Sequence, residues 1–181
     1  MKTLILYLFF GISLSLCAYN DLNNYLVSGD YSINFKTTKA EGSFTGLSGE
    51  VKFSDEDIEN AYVNVKVDVA TIRTGNTTKD KHAKKSKWFD VKKYPYISFV
   101  SESIRKTNKQ YQLTGTLTIK DVSQQHVIDF HLEKYNEENY LIGTTIIDRN
   151  QFNIEGNMIG FLVGDEVQVE LRIPANFIVH T

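Results

Sequence analysis

Three things are scarce in this chain, and each absence excludes something. The only cysteine is Cys17, so no internal disulfide framework and no cysteine-ligated zinc site can be built. The only prolines are Pro95 and Pro174, which leaves long stretches free to pair as strands. Charge of one sign is also missing: 20 Lys and Arg stand against 22 Asp and Glu, and nothing basic extends beyond one patch. That balance argues against a nucleic-acid binder. The glycines form neither GxGxxG nor GxxxxGK[ST], so no phosphate-cradling loop is present. Of the histidines, His126 and His131 are five apart and face opposite sides of one strand. Asp129 and His131 share a face, but it is the one opposite Ile128, Phe130 and Leu132. The sequence offers no set of three ligands such as a catalytic zinc requires, and a hydrolytic triad is poorly supported. The reading is of a protein without a catalytic centre or metal.

One apolar run is long, Leu4 to Leu16, and it falls short of the ~20 residues that span a bilayer. Preceded by Met1-Lys2 and ending in small residues, it reads as a secretory signal peptide over residues 1–18, leaving one domain over 19–181. Leu14-Ser15-Leu16-Cys17 also resembles a lipoprotein box, with Leu16 where the box has a small residue, so lipid anchoring at Cys17 is the second route. Either route places the mature protein in a bacterial periplasm or outside the cell.

Beyond this segment the chain alternates with period two almost throughout. Tyr31, Ile33 and Phe35 lead. Val63, Val65, Val67 and Val69 then alternate with Asn64, Lys66 and Asp68 in a strand expected over 61–71. Tyr111 to Ile119, Ile128 to Leu132, Tyr140 to Ile147 and Val167 to Ile173 follow, with turns at 54–57, 106–109, 120–125 and 136–139. Many short strands joined by hairpins mean a sandwich or an up-and-down barrel. The glycines at 42, 46 and 49 mark the bends a closed sheet needs, which favours the barrel.

One stretch interrupts the sheet, Lys79 to Ser101. Lys79, Lys81, Lys84, Lys85 and Lys87 read as a short basic helix with Thr77 or Thr78 as its cap. Trp88-Phe89 follows as an aromatic plug, and Tyr94-Pro95 as a break before the next strand. The helix is either a solvated connector or a lid facing an anionic group. Arg149, after Asp148, is either one half of a structural bridge at the barrel rim or a contact to a ligand head group.

Taken in order, these residues resemble the YceI-like family. The shared pieces are Gly42-x-Phe44 with Ser48-Gly49-x-Val51-x-Phe53, then Val67-Asp68-Val69-x-Thr71-Ile72-x-Thr74, Lys79-Asp80-x-His82 and Trp88-Phe89-Asp90-Val91. They continue with Tyr94-Pro95-x-Ile97-x-Phe99-x-Ser101, Leu113-Thr114-Gly115-x-Leu117-Thr118-Ile119-Lys120, Asp148-Arg149-x-x-Phe152 and Val163-Gly164-Asp165-x-Val167. The match runs from Tyr25 to Phe177. The chain departs from the family at Asp30-Tyr31, where His-Ser is frequent, and at Ala83 and Lys84, where a leucine usually follows the histidine. It departs again at Asn153, where a glycine is frequent.

The resemblance implies an all-β protein, an eight-stranded antiparallel lipocalin-like barrel with one short helix. It also implies an apolar lumen holding an isoprenoid or similar long-chain lipid, no cofactor beyond that lipid, and no catalysis. Alternation alone nominates Phe35, Phe44, Val65, Val67, Phe99, Leu117, Phe130, Ile146 and Val169 for the lumen. Lys81, Lys84, Lys85, Lys87, Trp88 and Arg149 are the candidates for its mouth or lid, where lysines can meet an anionic membrane surface. A homodimer is left open. Two other functions compete: an envelope enzyme acting on a lipid or quinone, and a filled barrel that serves only as an interaction module.

Overall fold

A computed structural model of the protein describes residues 31–108, 110–155 and 164–179. The signal segment expected over 1–18, Cys17 and the departure at Asp30 lie outside them. Within them run ten strands and one α-helix. The strands are β1 (Ser32–Lys36), β2 (Glu41–Phe44), β3 (Leu47–Lys52), β4 (Tyr62–Asp68), β5 (Tyr96–Lys106), β6 (Tyr111–Ile119), β7 (Val122–Tyr135), β8 (Glu138–Asp148), β9 (Glu166–Pro174) and β10 (Asn176–Val179). Helix α1 (Thr77–Ala83) lies between β4 and β5.

All pairings are antiparallel, in the order β10-β3-β4-β5-β6-β7-β8-β9-β1-β2. The strand β2 at one end of this order runs through Thr45-Gly46 directly into β3 near the other end, so the sheet curls round into a nearly closed barrel. The expectation of eight strands is corrected here to ten, because two extended segments are bent. One bends at Thr45-Gly46, where Asp68 N–H donates to the Gly46 carbonyl at 2.8 Å and the Tyr31 hydroxyl braces both sides. That hydroxyl donates to the Thr45 carbonyl and accepts from Leu47 N–H. The other bend is at Ala175, between β9 and β10, whose N–H donates to Asn139 and whose carbonyl accepts from Phe53.

Other boundaries also differ from expectation. Strand β4 ends at Asp68, because the Asp68 carboxylate accepts from Ala70 N–H at 2.8 Å and turns Val69–Thr71 into a 3₁₀ turn. Residues expected as a turn over 120–125 form a tight connection at Lys120-Asp121, with Lys120 at φ 58°, so β7 begins at Val122. The β7–β8 hairpin turns on Asn136 and Glu137, both at positive φ, the pattern that suits the twist of the flanking strands. Gly49 is required where it stands. Its φ is +110°, and a Cβ there would sit 2.2 Å from the Asn64 carbonyl oxygen of β4.

Inward-facing side chains close one end of the barrel outright. Phe53, Tyr111 and Phe130 form a cluster with ring centroids 5.0–5.2 Å apart. At the opposite end β4, β6 and β8 finish and β5, β7 and β9 begin. That end is covered by α1, the Lys84–Tyr94 segment and the 3₁₀ turn Arg149–Phe152.

Candidate ligand cavity

Between the aromatic cluster and α1 the barrel encloses a cavity of about 280 Å³ with an almost entirely apolar wall. The sequence pattern explains it. Each strand sends alternate residues inward, and these are Val63, Val65 and Val67 on β4, Leu113 and Leu117 on β6, and Val167, Val169 and Leu171 on β9. Gly143 on β8 lines the cavity without a side chain. Gly115 sits under the Phe99 ring, whose tip would be 2.6 Å from a Cβ at that position.

Eight of the nine residues nominated for the lumen line this cavity: Phe35, Phe44, Val65, Val67, Phe99, Leu117, Phe130 and Val169. Ile146 does not. It points outward and is 61% exposed, while its neighbour Ile147 lines the cavity. The reason is local. Tyr140-Leu141-Ile142 and Thr145-Ile146-Ile147 are apolar or β-branched at both parities, so alternation on β8 carries no mark of its inner face.

The lid differs from expectation in extent. Helix α1 is capped not by Thr77 or Thr78 but by Asn76, whose side-chain oxygen accepts from Thr78 and Lys79 N–H at 2.9 and 3.1 Å. Asp80 ties it to the preceding turn, accepting from Thr74 N–H at 2.8 Å and Thr74 Oγ1 at 2.6 Å. The Thr74 hydroxyl lowers the Asp80 pKa below the usual carboxylate value. The helix ends at Ala83, so Lys84, Lys85 and Lys87 lie in the turns after it. Lys79, His82 and Ala83, one face of the helix, line the cavity. Lys81, Lys84, Lys85 and Lys87 do not, and Lys81, Lys85 and Lys87 are exposed. Trp88 and Phe89 also line the cavity, and Phe89 meets Phe44 edge-on at 6.2 Å.

Arg149 is 7% exposed and reaches the cavity wall, but its guanidinium is engaged by the protein. Nε donates to the Gly164 carbonyl at 3.1 Å, Nη1 to the Ile154 carbonyl, and Nη2 to the Asp165 carboxylate at 3.0 Å. The structural reading of this residue is the one its contacts support. Asn153, the departure from glycine, adopts φ 54°, a left-handed conformation that Asn tolerates better than most residues.

The polar wall residues that were not nominated include two histidines, His82 and His126. His82 presents a buried Nδ1 with no hydrogen-bond partner. His126 is half-buried, with Nε2 2.7 Å from Thr145 Oγ1, and burial lowers its pKa. Its parity was legible: His126 falls in step with Ile128 and Phe130, which both face inward. Among the described residues, no three His, Cys, Asp or Glu side chains are grouped to hold a metal ion.

The fold is thus a nearly closed barrel wound round an apolar cavity, with an aromatic cluster at one end and a helix over the other. The chain belongs to the YceI-like domain family, whose sequence model matches residues 26–175. A UPF0312 protein of Photorhabdus laumondii is 29% identical over 91 residues, covering 50% of this chain and 47% of that protein. The match thus spans about half the length of that relative. A UPF0312 protein of Vibrio parahaemolyticus is 27% identical over 135 residues, covering 68% and 71%. Among solved structures, Burkholderia cenocepacia BcnA superposes with a TM-score of 0.74 at 26% identity, covering 80% of this chain and 96% of that one. A polyisoprenoid-binding domain from Saccharophagus degradans shares the fold, with a TM-score of 0.58 at 12% identity, covering 79% and 91%.

Proposed function

We propose that this protein binds and carries an isoprenoid or similar long-chain lipid in the barrel cavity, without catalysing a reaction on it. The observation that carries this reading is the cavity wall, almost entirely apolar, with aliphatic or aromatic side chains contributed by every strand from β3 to β9. Each methylene moved from water into such a wall contributes ~0.8 kcal/mol, so a long chain gains affinity without any polar motif. The volume lies near the lower end of the ~300–1,000 Å³ usual for ligand sites, which suits a slender chain better than a fused-ring ligand. The likeness in fold to a polyisoprenoid-binding domain supports the same ligand class. Two of the polar wall groups are committed to the protein, Arg149 to two carbonyls and a carboxylate and His126 to Thr145. Among the described residues, His82 stands without the carboxylate or second histidine that acid–base chemistry would pair with it. That favours a carrier over an enzyme. The work would be done in the periplasm or outside the cell, after removal of residues 1–18. The lysines of residues 81–87, turned away from the cavity, would meet an anionic membrane surface.

Trp88 is the only tryptophan and lines the cavity, so its fluorescence reports on occupancy. Titration with a detergent-solubilised neutral polyprenol is expected to change Trp88 emission saturably, and hexadecane-saturated buffer to compete. Emission that does not respond at any polyprenol concentration would overturn the reading.

A further inference from the structure

The barrel wall is not laddered everywhere. Strands β7 and β8 pair from Tyr135↔Glu138 as far as Asp129↔Thr144, and there the pairing stops. Beyond it, Val122–Ile128 of β7 still pairs with β6, and Thr145–Asp148 of β8 still pairs with β9. The two strands have parted from each other while each keeps its other neighbour.

Side chains bridge the gap where backbone bonds would be. His126 Nε2 lies 2.7 Å from Thr145 Oγ1, and Thr145 Oγ1 donates to the Val127 carbonyl at 3.1 Å. Because the threonine proton goes to that carbonyl, the imidazole supplies the Nε2–H. Further along, Gln124 Nε2 donates to the Gln151 carbonyl at 3.1 Å and Lys120 Nζ to the Asn153 carbonyl at 2.6 Å. Such contacts open by rotating a side chain, whereas a ladder opens only by breaking consecutive backbone bonds.

Apolar side chains flank the His126–Thr145 contact on both sides of the wall. Inside, Ile128 and Ile147 line the cavity. Outside, Val127 is 43% and Ile146 is 61% exposed, on a surface where most outward positions are polar. A hydrocarbon crossing here would have apolar neighbours on both faces of the wall once the His126–Thr145 contact has opened.

We propose that the seam between β7 and β8 is a lateral portal for a hydrocarbon chain, latched by the His126–Thr145–Val127 hydrogen bonds. This rests on the lipid-binding reading above. It assigns roles that the lumen and lid leave unused: His126 and Thr145 govern exchange, and Val127 and Ile146 form the lips.

The test staples the seam. Val127→Cys and Ile146→Cys are introduced together in a Cys17→Ser background and joined with a short bismaleimide. A control staples Thr116→Cys to Gln125→Cys, a register pair within the intact β6–β7 ladder. Uptake and release of pyrene-labelled farnesol are followed by stopped flow. The seam staple is expected to slow both rates by about tenfold or more with little change in equilibrium affinity, and the control by less than about twofold. Thr145→Val, which removes the latch but keeps the shape, is expected to speed both rates. Rates equal in stapled and unstapled seam variants, with the cross-link confirmed by mass, would overturn the portal alone. Failure of every form to take up the probe, the unstapled protein included, would overturn the lipid reading and the portal with it.

Discussion

At the scale of single residues, two side chains set inside an apolar wall make opposite demands. Arg149 is buried with its guanidinium donating to the carbonyls of Ile154 and Gly164. Its carboxylate partner, Asp165, has a side chain 66% exposed, so the ion pair itself contributes little, about 0–1 kcal/mol. Arg149→Lys offers one ammonium where a planar fork is needed, and is expected to cost about 2–4 kcal/mol in urea unfolding, whereas Asp165→Asn should cost less than about 1. Equal losses for the two variants would show that the ion pair, not the carbonyl contacts, holds this corner. His126 is disfavoured as a cation by burial, so its folded pKa lies below its ordinary value of 6.5. Between the two values the unfolded chain binds the proton and the native protein does not. Stability from this residue is therefore full above pH 6.5, falls as the pH drops below it, and levels off below the folded pKa. His126→Gln is expected to flatten this part of the pH–stability curve relative to the parent. Parallel curves would mean that His126 is as easily protonated in the native state as in the unfolded one.

At the scale of elements, legibility tracked contrast. On β4, β6 and β9 one parity is apolar and the other polar, and their inner faces could be read directly from Val65, Leu117 and Val169. On β8 both parities are apolar or β-branched, so Ile146 was placed on the wrong face. The helix end was hidden because the lysines after Ala83 are as good helix formers as those before it, and what stops α1 is tertiary. Phe89 N–H donates to the Ala83 carbonyl and Val91 N–H to the Lys84 carbonyl, folding the segment back under the lid. The bend at Gly46 was legible in its glycine, whereas the one at Ala175 was hidden for a similar reason: the Asn139 carbonyl that takes its N–H is remote in sequence. Alternation reports which way a residue faces but not whether its strand is paired, so the β7–β8 seam could not be read at all.

The same segment carries the element-scale prediction. Lys81, Lys85 and Lys87 are exposed and none of the four nominated lysines touches the cavity. Ammonium groups are strongly hydrated and do not hold a hydrocarbon, but near an anionic bilayer each contributes about 1 kcal/mol of attraction. Changing Lys81, Lys84, Lys85 and Lys87 together to Gln is expected to slow lipid uptake from anionic vesicles at low salt, and the difference should shrink at about 1 M salt, where screening acts within about 3 Å. Affinity for a neutral polyprenol in detergent should stay close to that of the parent. Loading at the parent rate from anionic vesicles in low salt would reduce the segment to a solvated connector.

At the scale of the whole molecule, a closed sheet answers two needs at once. It leaves few strand edges to aggregate, and it creates an interior whose contents the side chains decide. Here medium-sized aliphatic residues leave that interior partly empty, between an aromatic floor at Phe53, Tyr111 and Phe130 and a lid at Trp88 and Phe89. An apolar void of this size is costly unless something fills it, and a dry cavity lined by aliphatic groups takes apolar guests in preference to water. The most direct test is native mass spectrometry of the mature protein purified without detergent from the organism that encodes it, followed by organic extraction of the same sample. The account predicts a species heavier than the polypeptide by one lipid, and an extract in which a long-chain isoprenoid or similar lipid is recovered in near-equimolar amount. Protein found only at the mass of the polypeptide, with an extract free of lipid and no mass gained after incubation with polyprenol, would contradict it.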